Sequence, residues 1–277
     1  MLIDIHTHLS EFQESLEVQR QFVATGAVPE AIVRAYQDGI AGVDRAVLVA
    51  LDARPAGYHT SNEAVGWMVK QDPRRIVGFA SVDPNLQDAP DQLERAVQDH
   101  GLRGLKLAPM YQFFAPDAPA VYSLYERALR LGLPILIHQG TSYLGRRAPL
   151  EDSLPWRLDR VAREYPELKI VIAHLGYPWG PDVVALMRKH DNVYADCSAL
   201  GLRRAFLHRT LVDAYEYGVL DKVFFGSDYP GFGSISFRDI VLGMAKLTEG
   251  TSLPGIPEEN LRALVDRDSL AVLGVKA

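Results

Sequence analysis

Two histidines one residue apart, His6 and His8 in the opening stretch MLIDIHTHL, are the first residues whose types and spacing could do chemistry. Residues i and i+2 of a strand share a face. Both imidazoles are therefore expected to project together from the end of a short apolar strand, a chelating geometry for one metal ion. His138 closes a second apolar run, PILIHQ, and Asp228 closes another, KVFFGSD. Imidazoles with one carboxylate make the nitrogen-and-oxygen donor set of a zinc-type site, with room left for a water. Such an ion would bring the water's pKa towards about 7 and make hydroxide available at neutral pH. Asp228 is expected to touch the ion and to take the water's proton.

These residues need a scaffold that brings distant strand ends to one place. Eight short apolar runs recur along the chain: 2–6, 45–51, 76–82, 102–108, 134–139, 169–174, 192–198 and 222–228. Near-continuous Val, Ile and Leu runs of this length suit parallel strands buried on both faces. Amphipathic segments separate them. DAPDQLERAVQDHG (88–101) carries Leu93, Ala96 and Val97 at helical spacing and Gly101 as a C-cap. The segments 120–132, 155–166 and 182–190 repeat the design, with Pro155 and Pro181 suited to first turns. Eight alternating units in 277 residues fit a (β/α)8 TIM barrel filling residues 1–277 as one domain. An open doubly wound sheet would show a Gly-rich turn after the first strand, and HTHLSEF is not one. Active sites of the barrel fold lie at the C-terminal strand ends. His6, His8, Lys106, His138, His174, Asp196 and Asp228 all fall there or nearby. Ionisable groups are costly in such a place unless paired or bound to metal.

An apolar fraction of 48% and a charged fraction of 23% are those of a globular protein. The net charge of −6 argues against nucleic acid or an anionic membrane as a partner. A single cysteine, Cys197, excludes an internal disulfide and suits a reducing compartment. With no leader-like start and no apolar run of about 20 residues, a cytoplasmic location is expected.

The stretches IDIHTH, RGLKLAP, PILIHQGTS, KIVIAHLGYPW and VFFGSDYP occur in an order that resembles the amidohydrolase superfamily. The resemblance is to its amidohydrolase-related branch of compact, metal-dependent TIM-barrel hydrolases and decarboxylases. It implies that His6, His8 and His138 bind a metal and that Asp228 joins metal binding to proton transfer. It makes His174 either a ligand of a second metal or a catalytic, substrate-polarising residue. Dinuclear members carboxylate a fourth-strand lysine to bridge two ions; Lys106 lies in that strand, and is alternatively an ammonium for a substrate carboxylate. One divalent ion is expected, zinc or else manganese. His6 lies too near the first residue to leave room for the β-sandwich of larger members, so a barrel without that accessory domain is the closer match. A homodimer is the oligomer the resemblance suggests.

Loops after the fourth to sixth strands carry Tyr111, Arg146, Arg147 and Trp179, which with Lys106 would suit an aromatic or unsaturated carboxylate substrate. Asp196 and Cys197 read as residues that pack and hydrogen-bond at the rim. The expected activity is hydrolysis of a small organic acid or its derivative. Non-oxidative decarboxylation by the same site is the alternative. A non-catalytic metal-binding barrel, its mouth filled by a segment such as YQFF, and a phosphate-handling barrel using GFGS (231–234) are the rivals from other classes.

Overall fold

The computed structural model describes residues 1–142, 144 and 147–275. Each apolar run yields one strand: β1 (Ile3–Thr7), β2 (Arg45–Val49), β3 (Ile76–Phe79), β4 (Leu105–Leu107), β5 (Ile135–Ile137), β6 (Ile170–Ile172), β7 (Val193–Asp196) and β8 (Val223–Phe224). Neighbours within β1 to β3 and within β4 to β8 pair in parallel. Two seams close the ring. Ala80 N–H donates to Gly104 O at 2.8 Å and Lys106 N–H to Ala80 O at 2.6 Å, joining β3 to β4. Ile5 N–H donates to Phe225 O at 3.1 Å and Asp228 N–H to His6 O at 2.8 Å, joining β8 to β1. The result is a (β/α)8 barrel. Helices such as Ala89–His100, capped by left-handed Gly101, lie on its outside. The helix expected from Pro155 begins only at Arg157, whereas Pro181 does sit in a first turn.

The strands are short and buried on both faces, as their unbroken apolar character requires. One face packs on the helices. The other fills the barrel with Ile3, Ile5, Val47, Val49, Val77, Phe79, Leu136, Val171 and Phe224. Leu270, Leu273 and Val275, from the helix Ser269–Leu273 and the residues after it, plug the N-terminal end. Lys169, just before β6, donates its ammonium to Val272 O and pins that plug. Above the apolar layers the same inward positions turn polar, so hydrophobic packing supports a polar mouth. The run 45–51 does not continue as one strand: Leu51–Ala53 pairs antiparallel with Tyr58–Thr60 in a hairpin beside the mouth. Among the described residues there is no β-sandwich, and no helix is long and apolar enough to cross a membrane.

Strict alternation would place Asp4 on the same face as His6 and His8, and Ile3 and Ile5 on the other. The structure instead turns Ile3, Ile5, His6 and His8 inward and Asp4 and Thr7 outward. A register irregularity between Asp4 and Thr7 makes this possible, three residues of β1 opposing two of β2. An extra residue of this kind reverses the facing of everything beyond it. Asp4 fixes the bulge from outside. Its Oδ1 accepts His6 N–H at 3.2 Å and Ser227 N–H at 2.9 Å, and its Oδ2 accepts the Ser234 hydroxyl at 2.6 Å. Thr7 donates its hydroxyl to Val47 O and meets the Tyr36 hydroxyl at 2.7 Å.

Gly104 tests the layer beneath the site. A Cβ there would come within 2.5 Å of the Phe79 ring inside the barrel. Gly104→Ala should therefore cost about 1–3 kcal/mol of stability by overpacking, measured by urea unfolding, while leaving the mouth residues unchanged.

Candidate active site

The bulge of β1 delivers His6 and His8 to the barrel mouth. Lys106 is inward because Leu105 and Leu107 face the helices, and His138 is inward two residues after Leu136. His174 arrives by another device: it and Leu175 have φ of 58° and 46°, a left-handed turn straight after β6. Asp228, also at positive φ (61°), follows the last strand by four residues. Gly226 leaves space for the first strand, since a Cβ there would lie 3.1 Å from that of His6.

His6 Nδ1 lies 2.9 Å from Asp196 Oδ2, and its Nε2 is 2.8 Å from the Lys106 ammonium. Asp228 Oδ1 sits 3.5 Å from His6 Nε2 and 3.3 Å from His8 Nε2. His174 Nε2 is 3.2 Å from His138 Nδ1, whose Nε2 is 3.3 Å from Thr141 O. His174 Nδ1 is 2.8 Å from Ser198 Oγ. The rings of His6 and His174 stack at 5.0 Å.

Burial governs the protonation of this cluster. It lowers His6, helped by the Lys106 charge, and lowers His8 against the pull of Asp228. It takes His138 well below its usual range and His174 down to about 4. Lys106 falls to about 8 through burial, Asp228 and Asp196 limiting the drop, and so remains an ammonium at neutral pH. Burial opposes the charge of Asp228, but His174, His8 and His6 together hold its carboxyl well below the ordinary range. The mouth thus presents neutral imidazoles and a carboxylate.

This donor set fits a divalent cation. One ligand atom each from His6, His174 and Asp228 lies within 4.8 Å of the others, and His8 Nε2 faces the same Asp228 oxygen. His138 Nδ1 faces the His174 ring nitrogen, and its Nε2 faces Thr141 O. Lys106 is the one ammonium among these lone pairs.

The cluster forms the floor of a cavity of about 540 Å³. Its wall includes Phe12, Tyr58, Tyr111, Tyr177, Leu200 and Arg203. Tyr58 OH is 3.3 Å from His8 Nδ1, and Tyr111 stands edge-on to His138. Two expected substrate contacts are corrected. Trp179 does not line the cavity, because it sits at the start of the helix Gly180–Lys189, where the chain has already turned away; Tyr177 faces the cavity instead. Arg147 is exposed and outside the lining, and Arg146 lies outside the described residues. Among the described residues the arginine that lines the cavity is Arg203, its guanidinium 4.7 Å over the Tyr177 ring. Nothing in the sequence around Arg203, just before a helix after β7, marked it out.

Asp196 does hydrogen-bond, but from within the barrel rather than at its rim. It is fully buried and bonds His6, the His174 backbone N–H at 2.9 Å and Ser198. Cys197 beside it is core packing. The filled-mouth expectation fails, because Phe114 packs in the core and the cavity stays open. Of the GFGS stretch, Gly231 lines the cavity and the Ser234 hydroxyl is committed to Asp4.

A family model described as amidohydrolase matches residues 3–266. The chain belongs to the amidohydrolase family. It is an enzyme of that superfamily, and its barrel matches solved structures over nearly full length. An uncharacterized TIM-barrel protein from Bordetella bronchiseptica aligns with a TM-score of 0.76 and 18% identity, covering 99% of this chain and 98% of that one. A probable 2-pyrone-4,6-dicarboxylic acid hydrolase from Acinetobacter baumannii aligns at 0.65 and 19%, covering 99% of both. A 5-carboxyvanillate decarboxylase from Novosphingobium aromaticivorans, complexed with manganese and 4-hydroxy-3-methoxy-5-nitrobenzoic acid, aligns at 0.66 and 15%, covering 99% and 96%. Among curated proteins, a dihydroorotase from Yersinia enterocolitica is 36% identical over 64 residues, which are 21% of this chain and 18% of that one.

The His174 environment makes metal-free stability acid-sensitive. Its folded value of about 4 lies below the ordinary 6.5, so the unfolded chain takes the proton first. Stability from this group is full above 6.5 and is lost as pH falls from there towards 4. Urea unfolding of metal-free protein at pH 7.5, 6 and 4.5 should show a progressive fall. A flat profile would contradict the neutral cluster.

Proposed function

We propose that this amidohydrolase is a metal-dependent hydrolase of a small, carboxylate-bearing substrate. The observation that carries the reading is the convergence of His6, His174 and Asp228 ligand atoms within 4.8 Å on the floor of an open cavity. His6, His8, His138 and Asp228 would hold one divalent ion, zinc or manganese, with His174, whose ring nitrogen converges with the ligand atoms of His6 and Asp228, as a further donor. The manganese-bound decarboxylase relative supports manganese as the alternative to zinc. A divalent ion so held supplies a Lewis acid that polarises a substrate oxygen and acidifies water to a pKa near about 7. A single ion is the reading taken here, with Lys106 kept as an ammonium beside His6 Nε2 at 2.8 Å.

The protein's own groups divide the remaining work. Asp228, kept ionised, accepts the proton of the attacking water and returns it to the leaving group. The Lys106 ammonium, 2.8 Å from His6 Nε2, stabilises negative charge developing on the substrate oxygen. Arg203, with no carboxylate paired to it among the described residues and held over Tyr177, receives the substrate carboxylate. Phe12 packs against both Tyr58 and Tyr111, and the three form an aromatic wall that excludes water from the reacting centre.

That aromatic wall also favours a second reading, decarboxylation of an aromatic acid, in which a protonated acid at the same site delivers a proton to carbon as CO₂ leaves. A panel of lactones and hydroxybenzoates, followed for ring opening and for CO₂ release, separates the two. Ring opening without CO₂ is the result this reading expects; substrate-dependent CO₂ release would replace hydrolysis with decarboxylation.

Asp228→Asn should lower kcat by about 10²–10⁴-fold while most metal is retained, measured by steady-state kinetics beside elemental analysis. Full activity in that variant would remove Asp228 as proton carrier. Arg203→Met should raise KM by about tenfold or more, the scale of a lost charge-assisted contact of about 1.5–3 kcal/mol, with a smaller change in kcat.

A further inference from the structure

Behind the imidazoles lies a pair of residues that touches neither the cavity floor's open side nor any substrate position. Asp196 and Ser198 are both fully buried. Asp196 Oδ2 faces His6 Nδ1 at 2.9 Å. Its Oδ1 accepts three donors: the His174 backbone N–H at 2.9 Å, the Ser198 backbone N–H at 3.0 Å and the Ser198 hydroxyl at 2.5 Å. Ser198 Oγ in turn lies 2.8 Å from His174 Nδ1 and 3.1 Å from His6 Nδ1.

Proton counting fixes what each ring can carry. An ionised carboxylate has no hydrogen to give, so the proton between Asp196 and His6 must belong to His6 Nδ1. The single hydroxyl hydrogen of Ser198 is committed to Asp196 Oδ1 across the shortest contact in the group. Its oxygen is then left only with lone pairs, so the proton between Ser198 and His174 must belong to His174 Nδ1. Both rings therefore carry hydrogen on the nitrogen facing away from the mouth. Neither Nε2 carries hydrogen: that of His6 accepts the Lys106 ammonium at 2.8 Å, and that of His174 accepts the hydrogen of His138 Nδ1 at 3.2 Å.

The geometry points to Asp196 and Ser198 as positioning residues: together they set the tautomers of His6, in β1, and His174, just after β6, so that both present Nε2 lone pairs to the site. This inference rests on the proposed metal site for its purpose but not for its test. It also resolves which chemistry His174 can do. A neutral imidazole with its proton on Nδ1 donates nothing through Nε2, so it cannot polarise a substrate carbonyl by donating a hydrogen bond. It acts as a lone-pair donor, to a cation or to a proton. Hydrogen-bonding partners behind metal-binding imidazoles commonly govern affinity by 10–100-fold, and here one carboxylate serves two rings through one hydroxyl.

The test reads tautomers directly. Full-length, metal-free protein labelled with ¹⁵N-histidine is recorded at pH 7 by long-range ¹H–¹⁵N correlation, which distinguishes protonated from bare ring nitrogens. The native protein should show His6 and His174 both protonated at Nδ1 and bare at Nε2. Ser198→Ala should shift His174 towards the Nε2–H tautomer and leave His6 unchanged, because Asp196 Oδ2 remains. Ser198→Thr, which keeps the hydroxyl, should restore the native pattern. Zinc titrated into the same samples should bind about 10–100-fold more weakly to Ser198→Ala than to the native chain or Ser198→Thr. Native His174 protonated at Nε2 would overturn the assignment without any variant. An unchanged His174 tautomer in Ser198→Ala would overturn it equally. If the native tautomers are as stated but zinc does not bind, the metal-dependent function fails and the tautomer relay stands.

Discussion

The site depends on one extra residue in the first strand. Regular pleating from Ile3 onward would either bury Ile3 and Ile5 in the barrel or turn His6 and His8 into it, but not both. The irregularity between Asp4 and Thr7 permits both, so apolar packing at the bottom and metal-type donors at the top come from five consecutive strand positions and the residue after them. Asp4 holds that irregular stretch to the end of β8 through His6 N–H, Ser227 N–H and the Ser234 hydroxyl. The same seam carries Asp228 N–H to His6 O. The carboxylate that closes the donor set is thus positioned by the strand that opens it.

Around this seam the barrel sorts its residues by depth. Val47, Val77, Phe79, Val171 and Phe224 make the lower interior dry, and a dry floor strengthens every electrostatic interaction above it. The consequence is visible in protonation: His6, His8, His138 and His174 are all driven towards the neutral form that can offer lone pairs. Asp228 keeps its charge because those same rings surround it. Desolvation, usually a cost, here prepares the chemistry.

Much of this was legible in the sequence because it rests on local pattern. Parallel strands buried on both faces read as apolar runs, so all eight were visible, and polar residues closing such runs marked His6, His8, Lys106, His138, His174 and Asp228. What escaped was non-local. The bond from His6 to Asp196 spans 190 residues, and no spacing rule announces it. Arg203 acquires meaning only because the chain folds it over Tyr177. Trp179 was misread for the converse reason: its neighbours GYPW look like one loop, but the turn before the helix sends Tyr177 inward and leaves Trp179 at the helix start.

The central claim is that the mouth of this amidohydrolase holds one divalent metal ion on its converging imidazoles and carboxylate. Elemental analysis of protein purified without chelators or an affinity tag, beside His6→Ala and His8→Ala, tests it most directly. The account predicts about one zinc or manganese ion per native chain and little in either variant, both remaining folded. A native chain that carries no metal and takes up none on titration would contradict it.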